Sequence, residues 1–183
     1  MRRLAFYFTL LWSCLSVAQP TSLQLESDWK SWSKVGSADL NWLFFDIYQS
    51  HLFTPSGDYR LSHDVTPHPL ALSITYERDI EAKDLLSATY DQWLKLGYSD
   101  EQALSWLETI SPMFPDISEG DQLVYVSDGA DGEIYWLRNN SYRWQLMGKV
   151  TDEPTNDAFL SIWLSPKTEY PRLRRQLIGM VTQ

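Results

Sequence analysis

The chain is poor in cysteine and in glycine. Cys14 is the one cysteine among 183 residues, which excludes an internal disulfide and a cysteine-based zinc site. Only 8 glycines are present, and no Gly-rich loop precedes a predicted helix in the arrangement that binds phosphate. A Gly-x-Ser-x-Gly nucleophile elbow is also missing. Stability is therefore expected to come from packing, and the sequence carries no nucleotide-binding or hydrolase signature.

Basic residues are in the minority. Lys and Arg number 15 against 24 Asp and Glu, which gives a formal net charge of −9. Such a surface repels phosphate backbones and anionic lipid head groups, so a nucleic-acid partner is not expected. The one basic cluster, Arg172, Arg174 and Arg175, lies in a C-terminal amphipathic stretch and is interpreted as a solvated helix face.

Long apolar runs are missing as well, because none reaches the ~20 residues that span a bilayer as a helix. Residues 4–17 form an uncharged apolar run after Arg2 and Arg3, and Ser16-Val17-Ala18 follows the small-x-small pattern of signal peptidase sites. We therefore expect residues 1–18 to be a signal peptide. The processed protein is then exported across the inner membrane to the periplasm, without an integral membrane segment. A lipid anchor on Cys14 is the alternative, although Trp12 stands where a lipobox has a small residue.

Aromatic residues are abundant, with 9 Trp, 10 Tyr and 7 Phe. Rings at this density supply a large apolar area for a core and also line pockets for flat or oily ligands. Residues 28–183 have the length of one domain with one core, and they contain no internal repeat or long linker.

In the first half of the chain, the spacing of apolar residues changes from a period of two, typical of strands, to a period of 3.6, typical of helices. Residues 31–35 are predicted as a first strand, and residues 40–53 as one long strand after a turn at Gly36-Ser37. Residues 70–77 alternate in polarity like a half-buried strand. Residues 82–96 then show a helical apolar stripe that stops at Gly97. Ser99 and Gln102 have the spacing of a capping box, which predicts the start of a second helix.

The second half repeats this order. Strands are predicted over residues 123–126, 134–138 and 142–150, and helices over residues 157–164 and 171–181. The order β-β-β-α-α-β-β-β-α-α predicts an α+β fold in which an antiparallel sheet carries its helices on one face.

The sequence contains no convincing metal-binding pattern. His63 and His68 are not an i, i+4 helix pair and have no carboxylate triad beside them. Asp128 and Asp131 lie in a Gly-rich turn that lacks the spaced acids of an EF-hand. We therefore predict neither a metal site nor a cofactor.

Two charged residues stand in otherwise apolar surroundings. Asp46 interrupts the run Trp-Leu-Phe-Phe-Asp-Ile-Tyr, and Arg78 lies where a strand gives way to a helix. A carboxylate in such a place is paired, hydrated or functional. A local salt bridge for Asp46 and a local cap for Arg78 remain open beside a role in a site.

Several segments resemble bacterial chalcone-isomerase-like proteins. They are residues 35–48 (VGSADLNWLFFDIY), 72–80 (LSITYERDI), 114–116 (FPD) with 120–121 (GD), and 162–168 (IWLSPKT). Their order and spacing run from about residue 28 to the end of the chain. The resemblance implies an open-faced β-sandwich, the chalcone isomerase fold, with a ligand cleft between the sheet and a layer of helices.

The catalytic residues of the plant enzymes of this family are not retained. Those enzymes use a strand Arg, a strand Thr, a Tyr, an Asn and a late Ser or Thr. Alignment places these positions at Lys34, Asp46, Glu81, Ala88 and Asn156. A carboxylate in place of the phenol would repel the developing enolate, so chalcone isomerase activity is not expected.

The family also contains non-catalytic members that bind fatty acids in the same cleft, with an Arg and a Tyr at the carboxylate. By this resemblance we expect a periplasmic binding protein for a fatty acid or another small apolar or aromatic acid. Lys34 would supply the charge, and Tyr48 or Tyr76 the phenol. The expected ligand-binding residues are Lys34, Phe45, Asp46, Tyr48, Tyr76, Arg78, Leu85, Ala88 and Asn156.

An enzyme is the alternative function. It would be an isomerase or intramolecular lyase on an unknown substrate, with Asp46 or Glu81 as the base and Lys34 as the electrostatic partner. The sequence does not indicate an oligomeric state or a protein partner.

Overall fold

The computed structural model describes residues 29–42 and 45–180, without the side chains of Trp42 and Phe45. The predicted signal peptide lies outside these residues. Within them, six strands and four α-helices form in the predicted order. The strands are β1 Ser33–Trp42, β2 Phe45–Thr54, β3 Leu70–Tyr76, β4 Gln122–Ser127, β5 Gly132–Leu137 and β6 Gln145–Val150. The helices are α1 Ala82–Leu96, α2 Asp100–Ile110, α3 Glu153–Leu164 and α4 Pro171–Leu177.

The strands lie side by side in chain order, and every neighbouring pair is antiparallel. β3 and β4 pair directly although α1 and α2 separate them in sequence, as the register Leu72↔Tyr125 shows. The intervening helices therefore pack over one face of the sheet, and α3 and α4 pack on that same face. This arrangement confirms the predicted α+β, open-faced architecture.

The hairpin of β1 and β2 corrects two predictions. Gly36-Ser37 is not a turn, because β1 runs through it to Trp42, and residues 40–53 are not one strand, because β2 begins at Phe45. Gly36 stands at a break in register that follows Lys34. A Cβ on Gly36 would lie 2.1 Å from the carbonyl oxygen of Gln176, so glycine is required here for the close approach of α4.

The helix boundaries follow local hydrogen bonds. The Ser99 hydroxyl accepts from the Gln102 amide and Gln102 bonds back, so the predicted capping box is confirmed. Gly97 ends α1 with φ of 97°. α3 begins earlier than predicted because Asp152 caps it by accepting from the Thr155 amide.

The main core lies between the sheet and the helices. Trp93 of α1 is completely buried there, and its indole Nε1 donates a 2.8 Å hydrogen bond to the carbonyl oxygen of Ala158 in α3. Leu52, Leu72 and Leu160 pack in the same cluster. Replacing a tryptophan in such a place by alanine costs about 3–5 kcal/mol.

The second face of the sheet carries a smaller apolar cluster. Trp29, which precedes β1, packs its ring 5.4 Å from the ring of Trp144 and 6.2 Å from that of Phe53. The other buried members are Ala71, Val124, Val126 and Tyr135. Among the described helices, none is both long and apolar enough to traverse a bilayer.

Candidate functional site

An apolar cavity of about 190 Å³ lies between the sheet and helices α1 and α3. Its sheet side comes from β1, β2 and β3, and its roof comes from one face of α1. Residues near the C-terminal end of the chain close it from the side. Prominent lining residues are Leu40, Ile47, Leu85, Phe114, Ile162 and Tyr170.

Strand register places two tyrosines on the cavity floor. Leu40 pairs with Tyr48, and Tyr48 pairs with Tyr76, so the three side chains form a row on the helix-bearing face. The two tyrosine rings lie 6.1 Å apart in an edge-on arrangement. Cross-strand aromatic pairs of this kind stabilise the sheet and here also form the wall of a site.

The two phenols are kept protonated. Burial raises the pKa of Tyr48 and of Tyr76 well above the ordinary value for tyrosine. The Trp163 indole Nε1 donates a 2.8 Å hydrogen bond to the phenol oxygen of Tyr48. The Tyr48 hydroxyl hydrogen is therefore still available to an acceptor, such as a ligand oxygen.

Gln92 supplies an acceptor at the cavity. Its Nε2 donates a 2.9 Å hydrogen bond to Glu169 Oε2, which fixes the orientation of the amide. The opposite atom, Oε1, is buried and has no hydrogen-bond partner among the residues that the structure describes. A ligand group that donates a hydrogen bond would satisfy this oxygen.

One end of the cavity opens into an acidic groove of about 750 Å³, which shares Ile47, Ile80, Asp84 and Ala88 with it. Four carboxylates and one guanidinium line this groove, from Arg78, Asp79, Glu81, Asp84 and Asp116. Several of the carboxylates also hold the rim together. Asp116 accepts from the Ala82 amide at 2.8 Å, and Asp79 accepts from the Glu119 amide at 2.8 Å.

The other end leads to a groove of about 470 Å³ between β1 and the start of α4. Leu40 and Tyr170 line both this groove and the cavity. Glu169 lies here, and its charge is compensated by the ion pair with Lys95. Hydrogen bonds from Lys95 and Gln92 lower the pKa of its carboxyl. We call this end the α4 entrance; its polar lining comes from Asp39, Asn41, Glu169, Tyr170, Arg172 and Gln176.

The structure brings several of the predicted ligand-binding residues together. Tyr48, Tyr76, Leu85 and Ala88 line the cavity. Arg78 lies in the adjoining acidic groove, which Ala88 also lines. These positions form one connected cleft beneath the helices.

Lys34 is not part of that cleft. It pairs with Phe53, whose ring belongs to the cluster on the second face of the sheet, and its side chain is exposed there. It is also six residues from Leu40, about 20 Å along the strand. The expectation that Lys34 meets the ligand in the cleft is therefore wrong.

Asn156 and Asp46 also lie away from the cavity. Asn156 is completely buried, where it accepts from the Tyr125 hydroxyl at 3.0 Å and donates to Thr66 Oγ1 at 3.2 Å. Its role in the fold is therefore to join β4 to the loop before β3. Asp46 is exposed near the start of β2, where it pairs with Asn41, and the side chain of Phe45 is outside the described part.

The residues named for the enzyme alternative are not assembled into one site. Glu81 is exposed at the start of α1 and forms a 2.7 Å ion pair with Lys83. Lys34 lies on the second face of the sheet, and Asp46 lines neither the cavity nor its two grooves.

Among the residues that line the cavity and the α4 entrance, sequence reasoning did not name Gln92, Trp163 and Tyr170, and it interpreted Arg172 as part of a solvated helix face. Gln92 follows Leu85 by seven positions and Thr89 by three, so the helical repeat of α1 was a usable signal. Trp163 and Tyr170 reach the cavity only through the packing of the last two helices, which no local pattern reveals.

The described residues form an α+β, open-faced fold of the chalcone isomerase kind, with a largely apolar cavity that opens at both ends. The crystal structure of a fatty-acid binding protein of Arabidopsis thaliana superposes with a TM-score of 0.58 and 10% sequence identity, over 81% of this chain and 88% of that one. At this identity the likeness shows the fold.

Sequence comparison shows a closer relationship. The chain is 31% identical over 148 residues to an uncharacterized protein of Haemophilus influenzae, and the alignment covers 81% of this chain and 68% of that protein. The chain belongs to the same family as that protein. No family model matches the present chain.

Proposed function

We propose that this protein is a non-catalytic binding protein that holds a small apolar acid in the cleft. The carrying observation is the cavity, in which apolar and aromatic walls surround a few hydrogen-bonding groups of Tyr48, Tyr76 and Gln92. The one carboxylate that lines it, that of Asp84, is exposed and also lines the acidic groove, so it lies at the open end. Ligand sites are commonly built in this way. The name of the Arabidopsis structure, a fatty-acid binding protein, supports the same ligand class.

The cavity volume limits the size of the ligand's apolar part. A dry engineered cavity of about 150 Å³ accepts benzene. A cavity of about 190 Å³ therefore suits a single aromatic ring or a medium-length chain better than a long fatty acid. Burial of ~7 methylenes at about 0.8 kcal/mol each gives about 6 kcal/mol before association costs. We therefore expect affinities weaker than about 10 μM for such a ligand.

The proposal is tested by calorimetric titration with octanoate and 4-phenylbutyrate. Ala88 lies on the roof of the cavity and on the solvent-facing rim, so Ala88→Phe should fill the cleft without disturbing the core. Binding seen with the wild-type protein should be lost in this variant. Ser87→Phe adds the same ring at the neighbouring exposed position and should bind normally. If neither acid binds the wild-type protein, the proposal is wrong.

We also propose that the mature protein acts in the periplasm. The support is the sequence pattern of Arg2 and Arg3, the apolar run of residues 4–17 and the motif ending at Ala18. Protein recovered from a periplasmic fraction should begin at Gln19. An intact mass that retains Met1, or a lipid adduct on Cys14, would contradict this.

A further inference from the structure

We infer that the carboxylate of the bound acid lies at the α4 entrance, where Arg172 binds it, while the apolar part lies in the cavity. This inference rests on the proposed function and adds the residue that recognises the head group. It replaces Lys34, which the structure places on the other face of the sheet.

The two compartments are adjacent. Leu40 of β1 and Tyr170 before α4 line both the cavity and the α4 entrance. Tyr170 is partly buried, and its backbone carbonyl accepts from the Arg174 amide in the first turn of α4. A molecule whose tail fills the cavity can therefore pass beside this ring and present its head group to the residues of α4.

The charges at the two ends of the cavity determine at which end a ligand carboxylate would bind. The acidic groove holds Asp84 together with three further carboxylates, and Arg78, its one described cation, already interacts with a neighbouring group. A ligand carboxylate placed there would meet like charges within a few ångströms, which is unfavourable even at a hydrated surface.

The charged groups at the α4 entrance are arranged differently. Glu169 is neutralised by Lys95 at 2.8 Å. Asp39 also lines this entrance, but it pairs with Gln49, away from the row of Leu40 and Tyr48, and its charge acts on His51. Among the described residues that line this entrance, Arg172 is therefore the cation that can meet an incoming carboxylate.

Arg172 is distinguished from the other arginines of α4. Arg174 uses its Nε to donate a 2.6 Å hydrogen bond to the carbonyl oxygen of Leu164, and Arg175 does not line the entrance. Arg172 lines it and has neither an ion pair nor a hydrogen bond within the ranges 29–42 and 45–180. Its guanidinium presents a planar fork that matches a carboxylate.

Paired titrations of octanoate and 1-octanol test this assignment, because the two probes share a tail and differ in charge. Arg172→Gln keeps a polar side chain and removes the charge. It should weaken octanoate binding about three- to tenfold and leave 1-octanol binding unchanged. Arg175→Gln is the matched control on the same helix and should not affect octanoate binding. Arg78→Gln tests the rival position of the head group in the acidic groove. The preference of the wild-type protein for octanoate should also fall as salt is added.

The outcomes separate the two proposals. If the wild-type protein binds octanoate and Arg172→Gln binds it equally well, the cavity function stands and the Arg172 assignment is overturned. A loss of octanoate binding in Arg78→Gln alone would place the head group in the acidic groove and overturn it as well. A wild-type preference for 1-octanol would show that no cation binds the head group, and it would also overturn the Arg172 assignment. If neither probe binds the wild-type protein, the proposed function fails together with this inference.

Discussion

Trp163 and Tyr48 are 115 residues apart in the chain and share a buried 2.8 Å hydrogen bond, from the indole Nε1 to the phenol oxygen. The bond joins α3 to β2 at the wall of the cavity. It therefore contributes both to the stability of the fold and to the shape of the site.

Tyr48→Phe is expected to destabilise the protein by about 1–3 kcal/mol, because it leaves the buried Trp163 indole N–H without its acceptor. Urea denaturation followed by tryptophan fluorescence measures the change. Tyr142→Phe is the control, since Tyr142 is fully exposed and should show no effect. Equal stability of Tyr48→Phe and the wild-type protein would show that water or another group satisfies the indole.

Gly36→Ala is expected to destabilise the protein by about 2–3 kcal/mol, because the new Cβ overlaps the backbone oxygens of Gln176 and Leu177. Octanoate binding should weaken too, since residues of α4 form one side of the cleft. Gly97→Ala provides a comparison: its positive φ is unfavourable to alanine, but no atom lies within 4 Å of the added Cβ. That change should cost about 1 kcal/mol and leave binding intact. A Gly36→Ala protein with unchanged binding would contradict the role given to α4.

Ser99→Ala is expected to cost about 1 kcal/mol, because the Gln102 amide loses the hydroxyl that caps α2. Thermal unfolding at neutral pH measures the loss. Ser105 is exposed within the same helix, and Ser105→Ala should be neutral or slightly stabilising because alanine is the better helix former. Similar losses in both variants would show that the cap contributes nothing specific.

Asp157→Asn is expected to stabilise the protein slightly at pH 7, by less than about 1 kcal/mol, since the site is only partly buried. Burial raises the pKa of the Asp157 carboxyl, and the nearby charges of Asp64 and Glu153 raise it further, although a hydrogen bond from Thr66 opposes them. The folded protein therefore holds this proton more tightly than the unfolded chain, and stability falls as the pH rises through the folded pKa.

The advantage of Asp157→Asn should accordingly shrink as the pH falls below the ordinary aspartate range, where both states are protonated. Denaturation curves at several pH values measure it. Asp58→Asn, at an exposed turn, is the control. A stability difference that does not depend on pH would mean that the charge of Asp157 is not responsible.

Local patterns predicted the sheet, the helices and the capping box, because alternation and helical stripes depend on neighbouring residues. They failed at Gly36, where glycine looked like a turn residue and instead permits contact with a helix 140 positions later in the chain. The break in register between Lys34 and Gly36 also decides on which face of the sheet the Lys34 side chain lies. Tyr48 and Tyr76 were expected at the site from the family resemblance, and the strand register places the two side by side. Trp163 and Tyr170 depend on how the last helices dock, and the sequence carries no local signal for that.

The rim of the acidic groove joins two segments that are distant in sequence. Ile80 and Ile117 exchange backbone hydrogen bonds, and the Asp116 carboxylate accepts from the Ala82 amide. The first turn of α1 is thus secured by a segment that follows α2, since Glu81 gives it no side-chain cap. These amides should then open to solvent as one cooperative unit. Hydrogen exchange should give Ile80, Ala82 and Ile117 a common free energy of opening, and Asp116→Ala should lower all three values together.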